Sequence, residues 1–269
     1  MHDTRAIPKP RFAGRVAVVT GAGTGLGAMY AAALAREGAA VVAVDRDAAG
    51  LERTAQAIGA AGSECRAVPA DLAREDEVAR MAEAALGWKG RIDILINNAG
   101  GGSSETVSAT SLAEEDAASW DALVDGNVKT TFLCTRAVTE PMKRAGHGRI
   151  VNVSSRAARI KDAIVPQSPA YTAAKAGVMG LTRFAARELG PFGVTVNCLV
   201  PSLTLSGPRL EAYWERWGEA ARERYLDQVA LRRLPRPEEI VSALLFLASD
   251  ESSYVTGVCL DVNGGSFMA

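Results

Sequence analysis

Histidine is scarce in this chain: of 269 residues, only His2 and His147 carry an imidazole. A histidine-based acid–base mechanism, or a metal site built on histidine, has almost nothing to draw on. His2 falls in a terminal arm and His147 in an AGHGR turn, and both are expected to be solvated. Cysteine is scarce too, with four residues at 65, 134, 198 and 259 and no C-x-x-C pair. That spacing indicates neither zinc nor a disulfide framework. Cys134 and Cys198 lie in apolar runs and read as buried thiols. No metal is expected. No apolar run approaches the roughly 18 residues of a membrane span, and the first residues, MHDTRAIPKPRF, lack an apolar signal-peptide core. A cytoplasmic protein is expected. A formal net charge of −1 gives no general attraction to nucleic acid or to an anionic membrane.

What the chain does have is a repeated alternation of strand and helix patterns. Short β-branched apolar runs recur at 16–20, 40–44, 92–96, 150–153, 194–197 and 259–262, with helical patterns between them. This predicts one α/β domain: a doubly wound parallel sheet with helices on both faces, Rossmann-like in three layers. Residues 1–13 read as a flexible N-terminal arm and 14–269 as the domain.

The nucleotide end is legible residue by residue. Val16–Thr20 reads as a strand buried on both faces, followed by Gly21, Gly23, Gly25 and Gly27, then an Ala-rich helix and a second strand that ends on Asp45. Backbone N–H groups at a helix N-terminus attract phosphate when no side chain blocks the approach, which glycines permit. Asp45 lies 20 residues past Gly25, the spacing at which a carboxylate meets the adenosine ribose hydroxyls. A carboxylate there repels a 2′-phosphate and favours NAD over NADP; Arg46 beside it keeps NADP open.

The chemical end is a pair four residues apart, Tyr171 and Lys175, in SPAYTAAKAGVMGLTRFAARELG. An i,i+4 pair shares one helical face. A fixed cation there is expected to pull the phenol pKa down and make it a usable acid or base near neutrality.

Taken together these motifs resemble the short-chain dehydrogenase/reductase family in its single-domain form of roughly 250 residues, from about Gly14 to Gly265. TGAGTGLG (Thr20 to Gly27), Asp71-Leu72, Asn97-Asn98-Ala99-Gly100, Asn127, Ser154-Ser155, Tyr171, Lys175 and the closing YVTGVCLDVNGG fall in the family's order. The resemblance implies Asn127, Ser155, Tyr171 and Lys175 as catalytic residues, with Ser155 chosen over Ser154. It implies cofactor contacts at Gly21, Thr24, Gly25, Leu26, Asp45, Arg46, Asp71, Leu72, Asn98, Ala99, Gly100, Tyr171, Lys175, Pro201, Thr204 and Ser206. It also implies reversible hydride transfer between NAD and a small secondary alcohol or its ketone, and a homo-oligomer, a tetramer. An NADPH-dependent carbonyl reductase and a non-catalytic dinucleotide sensor are the alternatives. A lyase or dehalogenase on this scaffold would have lost the glycine turn, which is intact.

Two stretches depart from the family pattern. The segment between Ser155 and Tyr171, RAARIKDAIVPQSPA, is a few residues longer than usual, which predicts an enlarged pocket wall. The family's Pro-Gly is Pro201-Ser202 here, and Ser206 stands where a threonine is usual. Residues of about 206–231, charged and aromatic, correspond to the family's substrate lid. Arg156, Arg159, Lys161, Arg209 and Arg216 are expected to be solvated or paired with Glu211, Glu215 and Asp162. The minority reading is that some of them bind an anionic substrate.

Overall fold

The computed structural model describes residues 10–101, 111–161 and 164–268. Seven strands form one sheet in the order β3-β2-β1-β4-β5-β6-β7, and every pairing is parallel. They are β1 (Val16–Thr20), β2 (Ala40–Asp45), β3 (Cys65–Pro69), β4 (Ile94–Asn97), β5 (Gly148–Val153), β6 (Val194–Pro201) and β7 (Cys259–Val262). The strand order reverses between β1 and β4, and open α/β sheets bind ligands outside the carboxyl ends of the strands at such a point.

The continuous apolar runs seen in the sequence follow from burial on both faces. Along β1, Ala17 and Val19 pack with α1 (Gly25–Arg36), α2 (Ala48–Ala60) and α9 (Pro237–Ala248). Val16 and Val18 face α3 (Glu75–Lys89), α5 (Thr130–Ala145) and α6 (Pro169–Leu189). The remaining helices, α4 (Ala117–Val124), α7 (Pro208–Glu215) and α8 (Glu219–Asp227), lie around the carboxyl edge of the sheet. Among the described residues, no helix is long and apolar enough to cross a membrane and no acidic, cysteine or histidine cluster could hold a metal.

Three local expectations change. Phe12, assigned to the arm, is 1% exposed in the core, and its N–H donates to the Glu37 carbonyl. The rest of the arm, 1–9, lies outside the described residues. The fourth strand starts at Ile94 rather than Ile92, because Asp93 is withdrawn to accept the Val16 N–H and the Arg15 and Arg91 guanidinia. His147 is half-buried rather than solvated, between Asp250 and Arg15. Burial is the main cause that holds its imidazole below the ordinary histidine value.

Candidate active site

The glycine turn is held to the neighbouring loop by hydrogen bonds. Asn98 and Ala99 both donate their N–H to the Thr20 hydroxyl (3.0 Å each). The Asn98 amide donates back to the Thr20 and Gly21 carbonyls at 3.1 and 3.2 Å. Gly21 has φ +66°, which side chains rarely adopt, and a Cβ there would stand 2.8 Å from the Asn98 nitrogen. Thr24 caps α1 without a side-chain hydrogen bond, so the first N–H groups of that helix stay open to an anion.

Asp45 closes this end. Its carboxylate accepts the Gly23 N–H at 2.9 Å and the Asp47 N–H at 3.0 Å. Two bonds leave a carboxylate with lone pairs for ribose hydroxyls. Gly23, the extra glycine of the motif, is explained by this contact: a Cβ would come within 3.0 Å of the carboxylate.

A cleft of about 1290 Å³ runs over these residues. That exceeds the roughly 300–1,000 Å³ of a typical small-ligand pocket and suits a dinucleotide plus substrate. It is lined by Gly21, Thr24, Gly25, Leu26, Asp45, Arg46, Asp71, Leu72, Asn98, Ala99, Gly100, Asn127 and Ser206, all named from the sequence. The Ser206 hydroxyl lies against Gly25, where a Cβ would meet it at 3.3 Å. Ser155, Tyr171 and Lys175 are not among its lining residues, and neither are Pro201 and Thr204. The latter two are buried at the end of β6 and just beyond it, with the Thr204 hydroxyl donating to the Ser202 carbonyl.

The chemical residues gather at the carboxyl end of β5. Ser154 is buried, and its hydroxyl donates to the Lys175 carbonyl at 2.8 Å. Ser155 accepts the Ala157 N–H and hydrogen-bonds the Tyr171 phenol. Of the two serines, it is Ser155 that meets Tyr171. Helix α6 starts at a Ser168 cap that accepts the Tyr171 N–H, which sets the phase of the Tyr171–Lys175 face. The Lys175 ammonium donates to the Val153 carbonyl at 3.0 Å and stands 5.8 Å from the Tyr171 ring centre.

The electrostatics differ from the expectation that Lys175 would depress the phenol. Burial pushes Tyr171 above its ordinary value, while the Ser155 hydrogen bond and the Arg209 charge pull it down. Lys175 carries the larger change: burial lowers it from 10.5 to about 8, partly opposed by Cys198. Below pH 8, folded and unfolded chains both hold that proton, and the folded state bears the full cost of a buried ammonium. Between about 8 and 10.5 only the unfolded chain keeps it, so this contribution to stability rises with pH. Melting temperatures of Lys175→Met and the parent, taken from pH 7 to 10, should therefore shift relative to each other in the parent's favour as pH rises. A gap that stays constant would refute the buried-ammonium assignment.

Asn127 lies in a π-helical turn, Asp125–Lys129, that joins α4 to α5. Its side chain is committed at both ends: the amide donates to the Leu123 carbonyl and the oxygen accepts the Gly101 N–H. Sequence reasoning did not find the π turn, nor the α4 residues Ala118, Ser119 and Ala122 that line the cleft. No residue type in that stretch distinguishes a π turn from ordinary helix.

Lys161, Arg209 and Arg216 are exposed, in line with the solvated reading, while Arg156 and Arg159 are held by other groups. Arg159 pairs with Asp261 at 2.8 Å. Arg156 is buried under the Tyr225 ring at 5.3 Å, and Arg216 lies over Tyr213 at 5.9 Å. Asp162 lies outside the described residues. Arg209, at the start of α7, lines the cleft. In the 206–231 stretch, Trp214, Trp217 and Tyr225 form one ring cluster with centres 5.2 to 5.8 Å apart.

A parallel sheet with a glycine turn, a terminal carboxylate and a Ser-Tyr-Lys cluster at one carboxyl edge defines a nicotinamide-dependent oxidoreductase of the short-chain type. The chain belongs to the short-chain dehydrogenase/reductase family: the family model described as "Enoyl-(Acyl carrier protein) reductase" matches residues 21–266. It is 40% identical over 251 residues to the (2S)-[(R)-hydroxy(phenyl)methyl]succinyl-CoA dehydrogenase subunit BbsD of Thauera aromatica, covering 93% of this chain and 96% of that one. Its fold is similar to that of a short-chain dehydrogenase/reductase from Burkholderia xenovorans, with TM-score 0.87 and 32% identity over 96% of this chain and 98% of the other. It is also similar to a 7α-hydroxysteroid dehydrogenase solved with NADH and 7-oxo glycochenodeoxycholic acid, with TM-score 0.85 and 31% identity over 96% of this chain and 96% of that one.

Proposed function

We propose that the protein is an NAD-dependent dehydrogenase acting reversibly on a secondary alcohol or its ketone, with Tyr171 as general acid/base. The observation that carries this reading is the Ser155–Tyr171 hydroxyl pair, four residues from a buried cation and within reach of the charge of Arg209, which lines the cleft that ends at Asp45. The residues present fit a dinucleotide, since the open α1 N-terminus meets a pyrophosphate and the Asp45 carboxylate meets a ribose. When bound, the nicotinamide supplies the hydride acceptor in oxidation and the hydride donor in reduction. Ser155 holds the substrate oxygen, and Tyr171 takes its proton in oxidation or gives one in reduction. Lys175 keeps positive charge beside the phenol and anchors to β5 through Val153. Asn127 fixes the Gly100–Gly101 backbone at the floor of the cleft.

NAD is favoured by the Asp45 carboxylate and by the NADH bound in the steroid dehydrogenase. The alternative, an NADPH-dependent carbonyl reductase, is supported by Arg46, exposed on the cleft wall beside Asp45. For the substrate we favour an alcohol carrying an acidic or acyl group, because Arg209 brings a guanidinium to the cleft near Tyr171 and a close relative is named for a succinyl-CoA compound. The exposed Phe132 and Phe184 on α5 and α6 suit a homo-oligomer, a tetramer by family likeness. Fluorescence titration should show NADH binding at least about tenfold tighter than NADPH, with Asp45→Ser narrowing the gap, as expected when a repelling carboxylate is removed. Tighter NADPH binding by the parent would select the reductase. Absence of NAD reduction across a panel of charged and neutral secondary alcohols would defeat the dehydrogenase reading.

A further inference from the structure

Cys198 and Cys259 are 61 positions apart in the sequence, yet the sheet sets them side by side: the register of β6 with β7 makes them direct partners. Adjacent strands lie roughly 4.7–4.9 Å apart, inside the roughly 4.4–6.8 Å Cα separation that a disulfide spans. Partners in register point to the same face, and here the two thiols hydrogen-bond each other.

Their surroundings are unequal. Cys198 is fully buried among Val178, Met179 and Val200. Cys259 is half-buried, with the Arg183 guanidinium 3.9 Å from its sulfur. Arg159, held by Asp261, adds a second cation. The Cys198 hydrogen bond, followed by these two cations, draws Cys259 below the ordinary thiol value against the effect of burial. Burial instead pushes Cys65 up to about 11 and Cys134 to about 12. A partly accessible thiolate beside a buried second thiol is the arrangement of a redox-reactive pair.

We propose that Cys259 and Cys198 form a peroxide-reactive dithiol, with Cys259 as the attacking thiolate and Cys198 as the resolving thiol. Cys259 sulfur attacks the O–O bond of a hydroperoxide; the S–O bond forms, the O–O bond breaks, and the departing oxygen leaves protonated as water or an alcohol. The Cys259 sulfenic acid is then attacked by Cys198 sulfur. The S–S bond forms, the S–O bond breaks, and hydroxide leaves with the Cys198 proton as water. The two sulfurs together lose two electrons and the peroxide gains them. The bridge would stand behind α6, where Cys198 already interacts with the Lys175 charge.

The full-length chain provides two tests that do not need its substrate. At neutral pH, iodoacetamide should label Cys259 about tenfold or more faster than Cys65, following thiolate fraction and access. After hydrogen peroxide treatment, unreduced digests should contain one peptide pair joining 198 to 259, lighter by two hydrogens and separated by dithiothreitol. In Cys198→Ser the same treatment should instead leave a Cys259 sulfenic acid that dimedone traps. Cys259 labelling no faster than Cys65 would overturn the proposal, as would peroxide products in which Cys198 stays a thiol or bridges to a second chain.

Discussion

Tyr171→Phe is expected to lower kcat for alcohol oxidation by about 10³-fold, within the 10²–10⁴ that a positioned acid–base group contributes. NADH binding should stay within about twofold of the parent, since the phenol only moves a proton and does not provide a cofactor charge. The substitution is clean in this setting. The phenylalanine ring keeps its place 5.8 Å from the Lys175 ammonium, and α6 keeps its Ser168 cap. Only the hydroxyl and its bond to Ser155 are lost. Single-turnover kinetics with a substrate found in the alcohol panel would measure the effect. Retained turnover would remove Tyr171 from the chemistry.

Gly27→Ala should be the most damaging single methyl group in the nucleotide half. Helix propensity alone predicts a gain of up to about 1 kcal/mol for this change. Packing reverses the sign. The new Cβ would overlap the Gly21 carbonyl oxygen and come 2.6 Å from the Asn98 amide nitrogen. That nitrogen is the one that ties the glycine turn to the neighbouring loop. A backbone oxygen cannot rotate away, so the cost belongs at or above the upper end of the roughly 1–3 kcal/mol typical of overpacking. For a chain of this size that corresponds to a fall in Tm of about 6–12 °C, and NADH affinity should fall at least about tenfold. Gly59→Ala in α2 is the control: nothing lies within 4 Å of its Cβ position, so there the propensity gain should appear. Calorimetry on both variants decides the matter, and equal melting temperatures would show that the turn is not packed as described.

The parts of the site that were legible in the sequence are those whose chemistry is local. Gly21, Gly25 and Asp45 belong to one βαβ unit, so their spacing alone carries their geometry. Tyr171 and Lys175 share a helical face by period. What was not legible depends on partners distant in sequence. The fall of Lys175 to about 8 comes from burial under elements that no i,i+4 rule describes. Phe12 looked like part of a loose arm because the site that receives it, near Glu37, is made by another element. Arg156 looked like one more charge in a long wall, and only the placement of α8 brings the Tyr225 ring onto it. Arg159 is a like case: the acid it pairs with, Asp261, stands on β7, 102 positions away in sequence.

The parallel strand order has a consequence for how the chain is made. Ala17 pairs with Ile94, and the Thr20 hydroxyl waits for the backbone of Asn98, 78 positions later. No described strand has a hairpin neighbour, and β2 covers only the other edge of β1. On the ribosome, β1 and its glycine turn therefore emerge long before the segment that locks them, exposing an apolar edge during the interval. Synthesis speed up to about Asn98 sets how long that edge of β1 is open to chaperones or to aggregation, and β4, β5 and β6 in turn wait for β5, β6 and β7.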